Sequence, residues 1–95
     1  MDRLQGLIFS FYREDLFVEQ TLLPLLSCKI TRQMGSVIDI QCMDSVHLDR
    51  VLPIVKYLKA PIGLLKLGRK IVIYSSDSPG LKYSVALELD KNLYV

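Results

Sequence analysis

Cys28, Cys42 and His47 are the only soft or imidazole ligands in this chain. A structural zinc site normally takes four such ligands at short spacings. Three of them, with one five-residue step from Cys42 to His47, fall short of that set. A catalytic thiol needs a histidine base in reach, and the Cys42 and His47 pair is the one arrangement of that kind. The expected reading is plainer. It takes both cysteines as reduced thiols packed as small apolar groups, Cys42 at a strand end, and His47 on the surface at a helix start.

Carboxylates offer a second constellation. Asp39 interrupts an apolar segment, and Asp44 and Asp49 follow at five-residue intervals. Oxygen ligands from a strand end and the next helix suit a hard cation such as magnesium. The same residues serve equally as a strand's polar face, a helix cap and a solvated helix position, which is the reading expected here. No Gly-x-Gly-x-x-Gly run, Gly-Lys-Ser/Thr loop or Gly-x-Ser-x-Gly elbow is present. No catalytic residue, cofactor or metal is therefore assigned, and a non-enzymatic protein is expected.

Charge is unevenly spread although the net is only +2. Lys56, Lys59, Lys66, Arg69 and Lys70 fall in a stretch, residues 51 to 75, that holds no anion. Such a segment suits either an acidic protein partner or a nucleic-acid backbone, with Tyr57 and Tyr74 available for base stacking. The aromatic-rich RNA-binding signature with neighbouring glycines is absent, which ranks the nucleic-acid reading second.

These residues have to be positioned by a small fold. Ninety-five residues, 51% apolar and 23% charged, make one folded domain spanning 1–95. A chain of this size buries only about 60 to 65% of its unfolded surface, so this apolar content favours self-association or a partner. Two cysteines are too few for a disulfide framework, and no uncharged stretch exceeds nine residues, so a cytoplasmic protein with no membrane span is expected.

An offset of 29 residues lays Gly6 to Tyr12 over Gly35 to Gln41, Asp15 over Asp44, and Pro24 over Pro53. It predicts one strand-then-helix unit used twice. Leu7, Phe9 and Phe11 alternate as a strand does, as do Val37, Asp39 and Gln41. Val18, Leu22, Leu25 and Leu26, then Leu48, Val51, Leu52, Val55, Leu58 and Ile62, form helical stripes. Asp15 and Asp44 are candidate caps. The two prolines predict that regular helix begins late, near Thr21 and Asp49, and the second helix is expected to end before Pro61.

Residues 69–75 and 81–89 read as a hairpin around Ser76 to Gly80, and Lys29 to Gln33 as one further strand turning at Met34-Gly35. The order predicts a ferredoxin-like β-α-β-β-α-β sandwich. It would add a C-terminal hairpin strand and carry two helices on one face of a mainly antiparallel sheet.

Gly35 to Ile40, a helix, and Leu67 to Ile73 together resemble the strand–helix–strand part of the small capping domain in phycobilisome linker polypeptides. The resemblance covers less than half of the chain and implies an assembly protein. Composition points the same way, to a non-enzymatic interaction or assembly module acting as a homodimer or as a subunit of a larger complex. The self-association edge is expected at Tyr83, Val85, Ala86 and Leu87, because the last strand carries no charge in its centre.

Overall fold

The computed structural model describes residues 2–87. Four strands form one mixed sheet in the order β1-β2-β3-β4, with β1 Lys29–Gln33, β2 Val37–Cys42, β3 Lys70–Ser75 and β4 Tyr83–Ala86. β1 and β2 pair antiparallel, β2 and β3 parallel, and β3 and β4 antiparallel. This α+β arrangement departs from the expected ferredoxin-like topology. Strands adjacent in sequence are adjacent in the sheet, and the one crossover joins its central parallel pair.

The largest correction lies at the N-terminus, where Gly6 to Tyr12 is not a strand. It belongs to helix α1, Arg3–Phe11. Asp2 accepts from the backbone N–H of Gln5, while the Gln5 side chain accepts from the N–H of Asp2, a complete capping box. Leu4, Gln5, Ile8 and Tyr12 turn inward at helical spacing, and Ile8 is 1% exposed. The first halves of the proposed repeat are thus a helix laid over a strand, and the chain is not a strand–helix unit used twice.

The second halves do share local chemistry. Asp15 caps α2, Leu16–Thr21, at the N–H of Val18, and Asp44 caps α3, Ser45–Val51, at the N–H of His47. Each helix then tightens into a 3-10 segment, Leu23–Ser27 and Leu52–Tyr57, with Pro24 or Pro53 in its first turn. Regular helix therefore starts at the caps and not beyond them, and each proline falls in the first turn of the 3-10 segment that follows. Pro61 does not terminate a helix either. It occupies the first turn of α4, Lys59–Leu64.

The helical layer and one sheet face share a core of Ile8, Leu22, Leu25, Ile38, Ile40, Val51, Leu58, Ile62, Ile71 and Ile73, all at most 1% exposed. Most of the stripe residues are buried as expected, but Leu26 is exposed and Leu52 half-buried. The opposite sheet face carries Thr31, Asp39, Val72 and Ser84 in one register row. Gly68 admits β3 to this core, since a Cβ there would meet Ile38 Cγ1 at 2.7 Å and the Ser36 carbonyl at 2.9 Å. The expected end of the last strand, Glu88 and Leu89, lies outside the described residues.

Candidate functional site

β1 and β2 are joined by a three-residue turn, Met34 to Ser36, in which Gly35 (φ 78°) and Ser36 (φ 61°) adopt left-handed backbone. The turn pairs Gln33 with Val37, and the register runs on to Lys29 opposite Gln41. One residue further, Cys28 faces Cys42. The backbone N–H of Cys28 donates to Leu25 and its carbonyl accepts from Gln5, while the Cys42 carbonyl accepts from the N–H of Ser76. None of these three groups bonds across the Cys28–Cys42 pair. It is thus a non-hydrogen-bonded position, where facing side chains of an antiparallel pair come closest.

The two sulfurs lie 3.9 Å apart, and His47 Nε2 lies 3.8 Å from Cys28 Sγ. Cys28 is 6% exposed, Cys42 0% and His47 8%. The structure therefore brings together three residues that their sequence positions separate, and it buries the histidine expected at the surface. Cys28, which the short Cys42-to-His47 spacing left aside, is the thiol the imidazole touches.

The partners of the ring set its tautomer. The backbone N–H of Met43 donates to His47 Nδ1 over 3.0 Å, so the neutral ring carries its proton on Nε2, which donates to the Pro24 carbonyl at 2.7 Å. In that tautomer Nε2 has no lone pair for a thiol proton or for a metal ion. A zinc-binding histidine normally donates from its second nitrogen to an acceptor, and here that nitrogen faces a donor. The three ligand atoms lie within 4.8 Å of one another, yet the ring is oriented as a tether between β2, α3 and the first 3-10 segment. Burial is the main cause that pushes both thiols above their ordinary range, with Cys42 adding to the effect at Cys28 and Asp44 at Cys42.

The carboxylates expected as a trio are not gathered. Asp39 faces the side of the sheet away from the helices, Asp44 is engaged as the α3 cap, and Asp49 is exposed on α3. A different carboxylate joins the C-terminal end of β3 to the start of α3. Asp77 accepts from the Ser75 hydroxyl at 2.5 Å and from the N–H and hydroxyl of Ser45 at 3.3 Å, and the Ser75 bond above all holds its carboxyl below the usual range.

Lys56, Lys59, Lys66, Arg69 and Lys70 are all exposed, as a binding segment requires. They do not form one stripe. Lys56 and Lys59 belong to the helical layer, while Lys70 alternates onto the open sheet face beside Val37 and Ala86. Tyr57 is not free for stacking, because its ring packs edge-on against Tyr12 at 6.5 Å and its carbonyl accepts the Tyr12 hydroxyl at 2.6 Å. Tyr74 carries the Lys82 ammonium over its ring at 5.3 Å.

β4 is the outer strand beside β3 among the described residues. Tyr83, Ser84 and Ala86 are exposed, whereas Val85 and Leu87 are half-buried and pack against the core. The expected edge is thus divided between residues facing outward and residues needed by the monomer. No helix among the described residues is long and apolar enough to cross a membrane. Compared with known proteins, the chain matches no family model, no curated protein and no solved structure.

Proposed function

We propose that this chain is a non-enzymatic interaction module whose first partner is a second copy of itself, joined through β4. The observation that carries this reading is the contrast between β1 and β4, the two outer strands among the described residues. β1 exposes Lys29 and Arg32, whereas β4 runs Tyr-Ser-Val-Ala with no charge and no proline. Natural sheet edges are defended by such charges, and an undefended edge adds strands in trans through its backbone groups. Large apolar side chains on the surface support the same class, with Leu16 and Phe17 each 71% exposed and Leu64 65%.

Ala86 pairs with Lys70, so a lysine there would repel its own neighbour as well as a partner chain. Ser84 pairs with Val72 and is the cleaner probe. Sedimentation of Ser84→Lys should show monomer where the parent sediments as dimer, with an unchanged circular dichroism spectrum. An unaltered dimer would exclude β4 as the interface, and a monomeric parent would exclude the homodimer.

The exposure of all five basic residues supports a second reading, binding of RNA or DNA through Lys56, Lys59, Lys66, Arg69 and Lys70. Phosphate contacts release counterions, so such binding weakens steeply with salt while an apolar interface does not. Replacing Lys66, Arg69 and Lys70 with glutamate should abolish retention on a nucleic-acid column at low salt. Equal retention of parent and variant would dismiss this reading.

A further inference from the structure

We propose that Cys28 and Cys42 form a modification site, a thiol pair that hydrogen peroxide converts into an intramolecular disulfide across the open end of the β1–β2 hairpin. Three independent features place the two sulfurs for this reaction. The hairpin register sets them directly opposite each other, and the backbone bonding makes the position non-hydrogen-bonded. The sulfurs are already in contact at 3.9 Å, against about 2.05 Å in the bond. Facing residues at a non-hydrogen-bonded position have Cα atoms about 4.5 Å apart, inside the roughly 4.4 to 6.8 Å that a disulfide spans, so side-chain rotation is the movement the bond requires.

The order of events follows from exposure. Cys28 retains 6% of its surface and Cys42 none, so a molecule as small as peroxide meets Cys28 first. The Cys28 sulfur attacks one peroxide oxygen while its proton passes to the other, so no free thiolate and no separate base is needed. The O–O bond breaks, and the departing hydroxide takes that proton to leave as water. Cys28 is then a sulfenic acid.

Cys42 then loses its proton and attacks the Cys28 sulfur. The S–S bond forms, the S–O bond breaks, and the hydroxide released takes the Cys42 proton as a second water. Peroxide gains the two electrons that the two thiols lose. His47 Nε2 lies 3.8 Å from Cys28 Sγ with its proton donated to the Pro24 carbonyl, so the ring packs beside the sulfur without taking part in either step. The second step is fast relative to further oxidation because the resolving sulfur is held in place and not recruited from solution.

The test treats the full chain, native and reduced, with hydrogen peroxide, and follows it by intact mass and by thiol titration after denaturation. The expected result is the loss of two hydrogens per chain, titratable thiols falling from two to none, and recovery of both on reduction. Trypsin, which cleaves after Lys29 and Arg32, should release the Cys28 and Cys42 peptides joined until they are reduced. Cys42→Ser should instead carry extra oxygen on Cys28, and Cys28→Ser should resist oxidation at Cys42; thermal melting verifies that each variant folds.

Several outcomes would overturn the proposal. One is a native chain that keeps both thiols under conditions that oxidise the denatured chain. Others are disulfides between chains, or oxygen accumulating on Cys28 of the parent. Zinc retained one per chain in native mass spectrometry, with protection of both thiols, would reassign the cluster to a metal.

Discussion

The side-chain amide of Gln5 donates to the carbonyl of Cys28 at 2.8 Å and to that of Leu25 at 2.7 Å, joining the first turn of α1 to the entrance of β1. Gln5 is 3% exposed, so these bonds lie out of reach of water. Leucine at position 5 would keep the volume but orphan the Cys28 carbonyl, while the Leu25 carbonyl keeps the N–H of Cys28, and an orphaned buried group costs about 1 to 3 kcal/mol. Gln5→Leu is expected to lower stability by about 1 to 3 kcal/mol in urea unfolding on that basis. Gln5→Glu should cost more, since a carboxylate cannot donate to either carbonyl.

Gly68 makes a sharper test of packing, because no residue with a side chain fits without movement. The Arg69 N–H donates to the Ser36 carbonyl at 2.7 Å, which fixes the same oxygen that a Cβ at position 68 would strike. Gly68→Ala is expected to cost about 1 to 3 kcal/mol, as overpacking of a filled core does. Melting of the variant alongside Gly80→Ala checks this, since a Cβ at Gly80 meets nothing within 4 Å and that change should be nearly silent.

Stability should also decline in alkali. Burial above all raises both thiols in the folded chain, so above the free thiol value of about 8.5 the unfolded chain holds fewer protons than the folded one. The stabilisation this represents is fully present below that pH and is lost as pH rises past it. Tyr12, also raised by burial first, adds a similar loss only beyond its ordinary value of 10.0. Urea midpoints measured upward from neutral pH should therefore fall from about pH 8.5, and replacing Cys28 with serine and Cys42 with alanine should remove that first part of the fall.

How much of this was legible in the sequence depends on which residues are asked. The β3–β4 hairpin and the short strand Lys29–Gln33 are announced by turn formers and β-branched runs, and both are present. Residues 7 to 12 are apolar at every position but Ser10, so their alternation carried no information, and the decisive signal was the pair Asp2 and Gln5 at capping-box spacing. The thiol pair was within reach of arithmetic. A turn centred on Gly35 sets residues whose numbers sum to 70 opposite each other, and 28 and 42 do so. The burial of His47 was not legible, because it depends on where the Pro24 carbonyl arrives from a segment 23 residues earlier.

The mixed sheet also sets an order of assembly. Arg32 pairs with Ile38 and Ile71 with Val85 inside hairpins, whereas Ile38 meets Ile71 across the whole helical crossover. Closing that long loop is the costlier entropic step, and its length, more than the hairpins, governs the folding rate. Truncating Ile40 or Ile73 to valine along this seam should slow refolding, and truncating Val85 to alanine, in a hairpin formed before the seam closes, should slow refolding as well with little effect on unfolding. The two hairpins are therefore expected to form early and separately, with closure of the parallel seam between them as the late event that commits the chain to its native state.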